Sequence, residues 1–225
     1  RRVLFRSSRI RIFGDPISRS ISNIWAALEL GMDYEVVPIG WDDDSIYSEA
    51  YSRINPNSRV PALQDGDFVM WESLAINEYL VKKHGGPLAP KTLEEDALAM
   101  QWTLWCAIHL ERPLMQFAFN TFILDPGERK AEVAAQNLEA AQPFLKVLDG
   151  AVSKMPYLLG DRFTLADLNV GCCIFRSHRG LDMTALPHMK TWCERVFTRP
   201  AAMKAWDIRV SAKQDYDRRV GAKGH

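Results

Sequence analysis

The chain has 225 residues, 47% of them hydrophobic, with 28 basic side chains set against 28 acidic ones, which is enough to bury one sizeable core or two smaller ones. The balanced charge, without a long run of either sign, argues against a nucleic-acid surface or a polybasic membrane patch. No apolar run approaches the roughly 20 residues that a bilayer-spanning helix needs, no signal-peptide pattern opens the chain, and the expected setting is the cytoplasm.

Arg1 to Ser7 fits none of the caps or periodicities of the later segments and reads as a translated vector or adapter remnant, so residues 1–8 are set apart as a non-native leader. From Arg9 the pattern is orderly. Ile10 and Ile12 alternate with arginines as in a short strand, which Gly14-Asp15-Pro16 breaks. Ile21, Ile24, Trp25 and Leu28 recur at helical spacing until Gly31. Tyr34 to Pro38 reads as a second strand, and a helix between two strands implies a parallel, right-handed crossover. A polar stretch from Asp42 to Arg53 has only a weak helical pattern. Ala62 to Gln64 and Phe68 to Met70 flank Asp65-Gly66, a hairpin signal, and Leu74, Ile76, Tyr79 and Leu80 lie on a helix reaching about His84.

Two glycines and two prolines in residues 85–90 form the clearest boundary, and the chain beyond them reads as helical. Leu93 to Phe119 carries helical spacing broken near Pro113, and Ala131 to Val152 repeats it with Pro143 as an internal irregularity. Thr164 can cap a later helix with Asp167 reaching back to its amide, and Phe163 and Leu168 are spaced as a hydrophobic staple. The expected organisation is an α/β domain over residues 9–84, a linker over 85–92 and an all-helical domain over 93–225. Cys106, Cys172, Cys173 and Cys193 form no C-x-x-C pair and read as reduced packing residues. No metal-ligand spacing, Walker pattern or glycine-rich dinucleotide loop occurs, and no metal is expected.

The order strand, helix, strand, loose segment, strand, strand, helix fits a thioredoxin-like half. In that topology the loop after Phe13 sits beside Pro61. A cis Pro61 would turn Val60 outward with a bare backbone edge able to add a ligand strand, whereas a trans proline would merely start the strand. Glu72-Ser73 opens a helix whose free amides and dipole suit a carboxylate, with Glu72 able to meet an ammonium, so the pair fits an amino-acid head as well as it fits a plain cap. Ser18, Ser20 and Ser22 cluster where a thiol lying along the Val60 edge would arrive, although N-capping accounts for Ser20 and Ser22. His109 and Arg112 share one helical face at i and i+3 beside Trp105, and Arg176 and His178 are similarly open to a structural reading.

Asn55-Pro56, Val60-Pro61-Ala62-Leu63, Glu72-Ser73-Leu74-Ala75-Ile76, the Gly-Pro-Leu-Ala-Pro linker and Gly160 to Asp167 together resemble cytosolic glutathione S-transferases over about Arg9 to Trp206, in a serine-type, bacterial-like form. The resemblance implies a thioredoxin-like domain followed by a helical bundle, a homodimer, glutathione as co-substrate without a metal, and a detoxifying transferase acting on a small hydrophobic electrophile. It implies that Val60 pairs with the cysteinyl backbone, that Pro61 is cis, that Glu72 and Ser73 hold the γ-glutamyl head, and that Thr164 and Asp167 form a structural capping box. Ser18 matches the activating serine, assisted by helix-terminal amides, and Arg53 or Arg59 would meet the glycine-end carboxylate. The electrophile would contact Ile17, Trp105, His109 and Arg112. A glutathione-dependent isomerase or dehalogenase, or a binding module without chemistry, would share the same fold.

Overall fold

The computed structural model describes residues 9–40 and 43–223. The expected leader, residues 1–8, and Asp42 at the head of the polar stretch lie outside the described residues. The chain divides into two compact units, one running to His84 and taking in the segment from Pro200 onward, the other Gly85–Arg199.

In the first unit four short strands, β1 (Ile10–Phe13), β2 (Tyr34–Val37), β3 (Ala62–Asp65) and β4 (Phe68–Trp71), form one sheet in the order β2-β1-β3-β4. β1 runs parallel to β2 across the crossover helix α1 (Ile21–Glu29), and antiparallel to β3 with Phe13 opposite Ala62. Ile10, Ile12 and Phe13 are buried, so the alternation seen in the sequence marks the core face. α1 buries Ile24, Trp25, Ala26 and Ala27, and Gly31 follows it at φ 62. The weakly patterned segment forms a 3₁₀ turn over Ser45–Tyr47 and a one-turn helix α2 (Glu49–Ser52), whose Ser48 cap accepts from the Tyr51 amide at 3.2 Å.

The hairpin turn is displaced by one residue from its expected place. Asp65 pairs with Phe68, leaving Gly66 and Asp67 as the turn. Asp65 stays in the strand because its carboxylate is ion-paired with Lys83 and accepts from the Tyr79 hydroxyl at 3.0 Å, both on α3 (Ser73–His84). The last helix, α9 (Pro200–Lys223), groups with this unit, so the range 93–225 is divided at Pro200. It packs on α1 and buries Ala202 and Ala205, residues small enough for close helix approach.

The second unit contains α4 (Leu93–Trp105), α5 (Glu111–Ala118), α6 (Ala131–Ala151), α7 (Leu165–Ile174) and α8 (Pro187–Phe197). The break expected near Pro113 falls just ahead of it, between α4 and α5, and Pro113 itself lies in the first turn of α5. A π-helical turn over Cys106–Leu110 precedes it, so the chain changes winding before the proline and needs no interruption at it. α6 likewise runs through Pro143. α7 is buried over its whole length, and the capping box at its start is present. Asp167 Oδ2 accepts from the Thr164 amide and hydroxyl, each at 3.1 Å, while Oδ1 accepts from the Leu158 amide and Trp192 Nε1, each at 2.9 Å. Burial pushes the Asp167 carboxyl above the ordinary carboxylate range, against the pull of these donors.

His178 stacks on Phe197 at 4.1 Å with Nδ1 2.9 Å from the Phe175 carbonyl. Burial brings its pKa down to about 4, so it is neutral at physiological pH and serves as packing. All four cysteines are buried, and burial pushes the Cys193 thiol up to about 12, far from thiolate chemistry.

Candidate active site

The loop between β1 and α1 is built around one carbonyl. Asp15 O accepts from the Ser18 amide at 2.8 Å, the Ser18 hydroxyl at 2.6 Å and the Ser20 hydroxyl at 2.7 Å. Asp15 Oδ1 accepts from the Ile17 amide at 2.9 Å, an Asx turn that folds the loop back on itself. The Ser20 amide donates to Ser18 Oγ at 3.2 Å. Ser20 occupies the N-cap position of α1 but makes no side-chain cap bond, because its backbone is already helical (φ −58, ψ −23) and not extended as a capping residue's is, and its hydroxyl donates to Asp15; the capping role expected of it is corrected accordingly. The amides of Ser22, Asn23 and Ile24 bond to the Arg19 carbonyl and, twice, the Ser20 carbonyl. These helix-terminal donors are therefore engaged.

Gly14 carries this loop against the residue before Pro61. A Cβ built at Gly14 would lie 3.0 Å from Val60 Cβ and 3.1 Å from Ser20 Cβ, and its φ of +129 is one that side chains rarely adopt. Both constraints require glycine there. Replacing Gly14 by alanine should cost about 2 kcal/mol through clash and backbone strain. Thermal unfolding would register this as a midpoint several degrees lower, and an unchanged midpoint would mean that the loop yields without cost.

The Val60–Pro61 peptide bond is cis, in agreement with the expectation from its sequence context. Ladder pairing of β3 with β1 begins at Ala62, so Val60 lies just beyond the paired stretch. The Arg59 carbonyl is pinned from two directions, by the Tyr51 hydroxyl and by Asn55 Nδ2, each at 2.7 Å. Asn55 Oδ1 accepts from the Asn57 amide at 3.0 Å, which explains the asparagine of the Asn55-Pro56 motif as a loop brace. The Arg59 side chain is exposed, whereas Arg53 is ion-paired with Glu49 one turn earlier.

Glu72 has φ 75, the left-handed region that non-glycine residues seldom occupy. Such local strain costs of order 1 kcal/mol and concentrates at binding sites. Its carbonyl accepts the Ile76 amide at 2.9 Å, so Glu72 stands at the head of α3. Ser73 is next, buried, its hydroxyl accepting from Arg19 Nε at 3.1 Å and its carbonyl accepting from Asn23 Nδ2 at 2.8 Å. Arg19 and Asn23 thus join the Ser18 loop to the start of α3. Neither stands out in the sequence, because the pairings span 54 and 50 residues.

The remaining predicted contacts lie in the second unit. His109 stacks on Phe144 of α6 at 4.9 Å, and Trp105 meets the same ring edge-on at 6.4 Å. The π-helical turn between Trp105 and Glu111 interrupts the regular spacing that pairs His109 with Arg112 in an unbroken α-helix. Arg112 is exposed. Among the described residues no cluster of His, Cys, Asp or Glu could hold a metal ion.

The family model for the glutathione S-transferase N-terminal domain matches residues 11–82, and that for the C-terminal domain matches residues 96–200. The chain is 33% identical over 202 residues to glutathione S-transferase 1 of Zea mays, covering 87% of this chain and 94% of that protein. A solved glutathione S-transferase I from maize in complex with an atrazine glutathione conjugate is 31% identical with a TM-score of 0.81, covering 90% of this chain and 98% of that one. A theta-class glutathione S-transferase from Xanthomonas axonopodis pv. citri, solved with glutathione bound, is 30% identical with a TM-score of 0.79, covering 87% and 96%.

Proposed function

This chain belongs to the glutathione S-transferase family and is a glutathione transferase, and we propose that it performs conjugation with Ser18 as the thiolate-holding group, Val60 and Pro61 as the backbone rim, and Glu72 with Ser73 as the γ-glutamyl site. The observation that carries this reading is the junction at Gly14, which sets the Ser18 loop within van der Waals reach of Val60. A tripeptide paired with the Val60 backbone would bring its sulfur toward that loop.

A free thiol of this kind has a pKa of about 8.5, so only a few per cent is thiolate at neutral pH. Ser20 alone can keep the Asp15 carbonyl bonded, which frees the single proton of Ser18 to turn toward the sulfur. The Ser20 amide bonded to Ser18 Oγ polarises that hydroxyl and makes it a better donor. The thiol proton passes to solvent, the sulfur lone pair forms the bond to the electrophilic carbon, and the displaced group leaves with its electron pair. Glu72 would take the γ-glutamyl ammonium and Ser73 its carboxylate. For the glycine-end carboxylate Arg59 suits better than Arg53, whose guanidinium already meets Glu49. Ile17, adjoining Ser18, is proposed to touch the electrophile. In the helical unit, Trp105 and His109 with Phe144 supply an apolar aromatic surface suited to it, and the exposed Arg112 would add a polar contact.

A homodimeric, cytoplasmic, detoxifying enzyme completes the proposal. Phe68, Val69 and Trp71 are exposed on β4, an edge strand, as expected of a surface that another subunit covers. Among the described residues no helix is long and apolar enough to cross a membrane. A panel of electrophiles tests the activity: consumption of one glutathione per product supports conjugation, and turnover with glutathione unconsumed points to isomerisation. Replacing Ser73 by alanine removes a hydroxyl bond to a charged group, worth about 1.5–3 kcal/mol. Calorimetry should record glutathione affinity roughly tenfold to a hundredfold weaker, and unaltered affinity would refute the head-group assignment.

A further inference from the structure

The peptide plane immediately before Ser18 is bonded at both ends. Its N–H, that of Ser18, donates to the Asp15 carbonyl at 2.8 Å. Its carbonyl, that of Ile17, accepts from Arg209 Nη1 of α9, a contact spanning 192 residues of sequence. The orientation of this plane sets ψ of Ile17 and φ of Ser18, and with them the direction in which Ser18 Oγ points. The Arg209 side chain is half-buried, and burial pulls its pKa below the usual arginine value while the negative Asp15, the charged group acting on it from the loop, opposes that pull. A half-buried cation beside the loop also adds positive potential where a thiolate would form.

We propose that Arg209 is a positioning residue for thiol activation: the C-terminal helix fixes the Ile17 carbonyl, holds the Ser18 hydroxyl in its donating direction, and contributes positive charge to the thiolate site. This rests on the reading of Ser18 as the thiolate-holding group. Ile17 and Asp15 make the rest of the frame, through the Asp15 carboxylate bonded to the Ile17 amide at 2.9 Å. Each polar group of Ile17 is thereby held by a charged side chain, one from the loop and one from α9.

The test is titration of enzyme-bound glutathione, followed by thiolate absorbance in the ultraviolet, together with steady-state kinetics on the full chain. R209Q should raise the bound thiol pKa by about one unit and lower kcat at neutral pH about tenfold, with the KM for glutathione changed less than about twofold. R209K, keeping a charge and donors, should recover at least half of that shift while leaving a small alkaline remainder. A lower melting midpoint with an unmoved thiol pKa in R209Q would reduce Arg209 to a structural tether and overturn the proposal. Should R209Q fail to fold, R209K decides alone: its ammonium, a point charge on a flexible stem, fits the carbonyl less rigidly than the guanidinium fork, so a small alkaline shift supports the proposal and none overturns it. If wild-type enzyme shows no depressed thiol pKa, the parent reading of Ser18 fails, an outcome distinct from a wild-type depression that R209Q leaves intact.

Discussion

Replacing Ser18 by alanine should shift the pH dependence of turnover to the alkaline side by one to two units and cut kcat/KM at neutral pH by about a hundredfold, while glutathione binding changes little. The magnitude comes from the role assigned to the hydroxyl. Each unit of thiol pKa depression corresponds to roughly 1.4 kcal/mol of preferential stabilisation of the thiolate, and removing one donor aimed at a developing or resident anion costs about 2.7–4 kcal/mol in comparable sites. The sign is fixed by linkage: loss of a group that favours the charged form raises the pKa, so the deficit is greatest at neutral pH and shrinks where free glutathione ionises unaided. Binding survives because the contacts proposed at Val60, Glu72 and Ser73 do not involve Ser18. With the amides of Ser22, Asn23 and Ile24 already bonded, the helix end offers little compensation. A pH–rate profile measured with saturating glutathione checks this, and an unchanged profile would transfer the role to Ser20.

What the sequence could disclose about this site tracks the range of the interactions involved. Ile10 and Ile12 announce β1 through local alternation, Thr164 and Asp167 announce the cap of α7 through a three-residue spacing, and Pro61 stands out because its neighbours in the chain fix its context. The turn falls at Gly66-Asp67, one residue from its expected place, because the deciding force, Lys83 holding Asp65 in the strand, acts from the far end of α3. Ser20 looks like a cap because its preference is for capping; its actual partner, the Asp15 carbonyl, is a backbone group with no sequence signature. The π-helical turn at Cys106–Leu110 is equally silent, since residues suited to an α-helix suit it too. Arg19, Asn23 and Arg209 lie beyond sequence reasoning altogether, because each owes its role to a contact between elements that only folding brings together.

The largest effect on stability should come from Asp167→Ala. Four donors converge on this carboxylate, from the Leu158 and Thr164 amides, the Thr164 hydroxyl and the Trp192 indole, and Asp167 is 0% exposed, so no solvent stands ready to replace the lost acceptor. An unsatisfied buried donor costs about 1–3 kcal/mol. Even allowing the Thr164 hydroxyl to rotate toward another acceptor, three donors remain, and the expected loss is at least about 3 kcal/mol against a total stability of about 5–15 kcal/mol. Asp167→Asn should be milder, about 2 kcal/mol, because the amide oxygen can still serve Leu158 and Trp192 while its NH₂ faces the Thr164 amide, donor against donor. Chemical denaturation monitored by tryptophan fluorescence should therefore rank wild type above Asp167→Asn above Asp167→Ala. Trp192 is itself fully buried, and its emission should shift toward that of a solvated indole as α7 loses its anchor. Equal midpoints for the two variants would mean that the carboxylate's charge, rather than its count of accepting oxygens, holds the start of α7 in place.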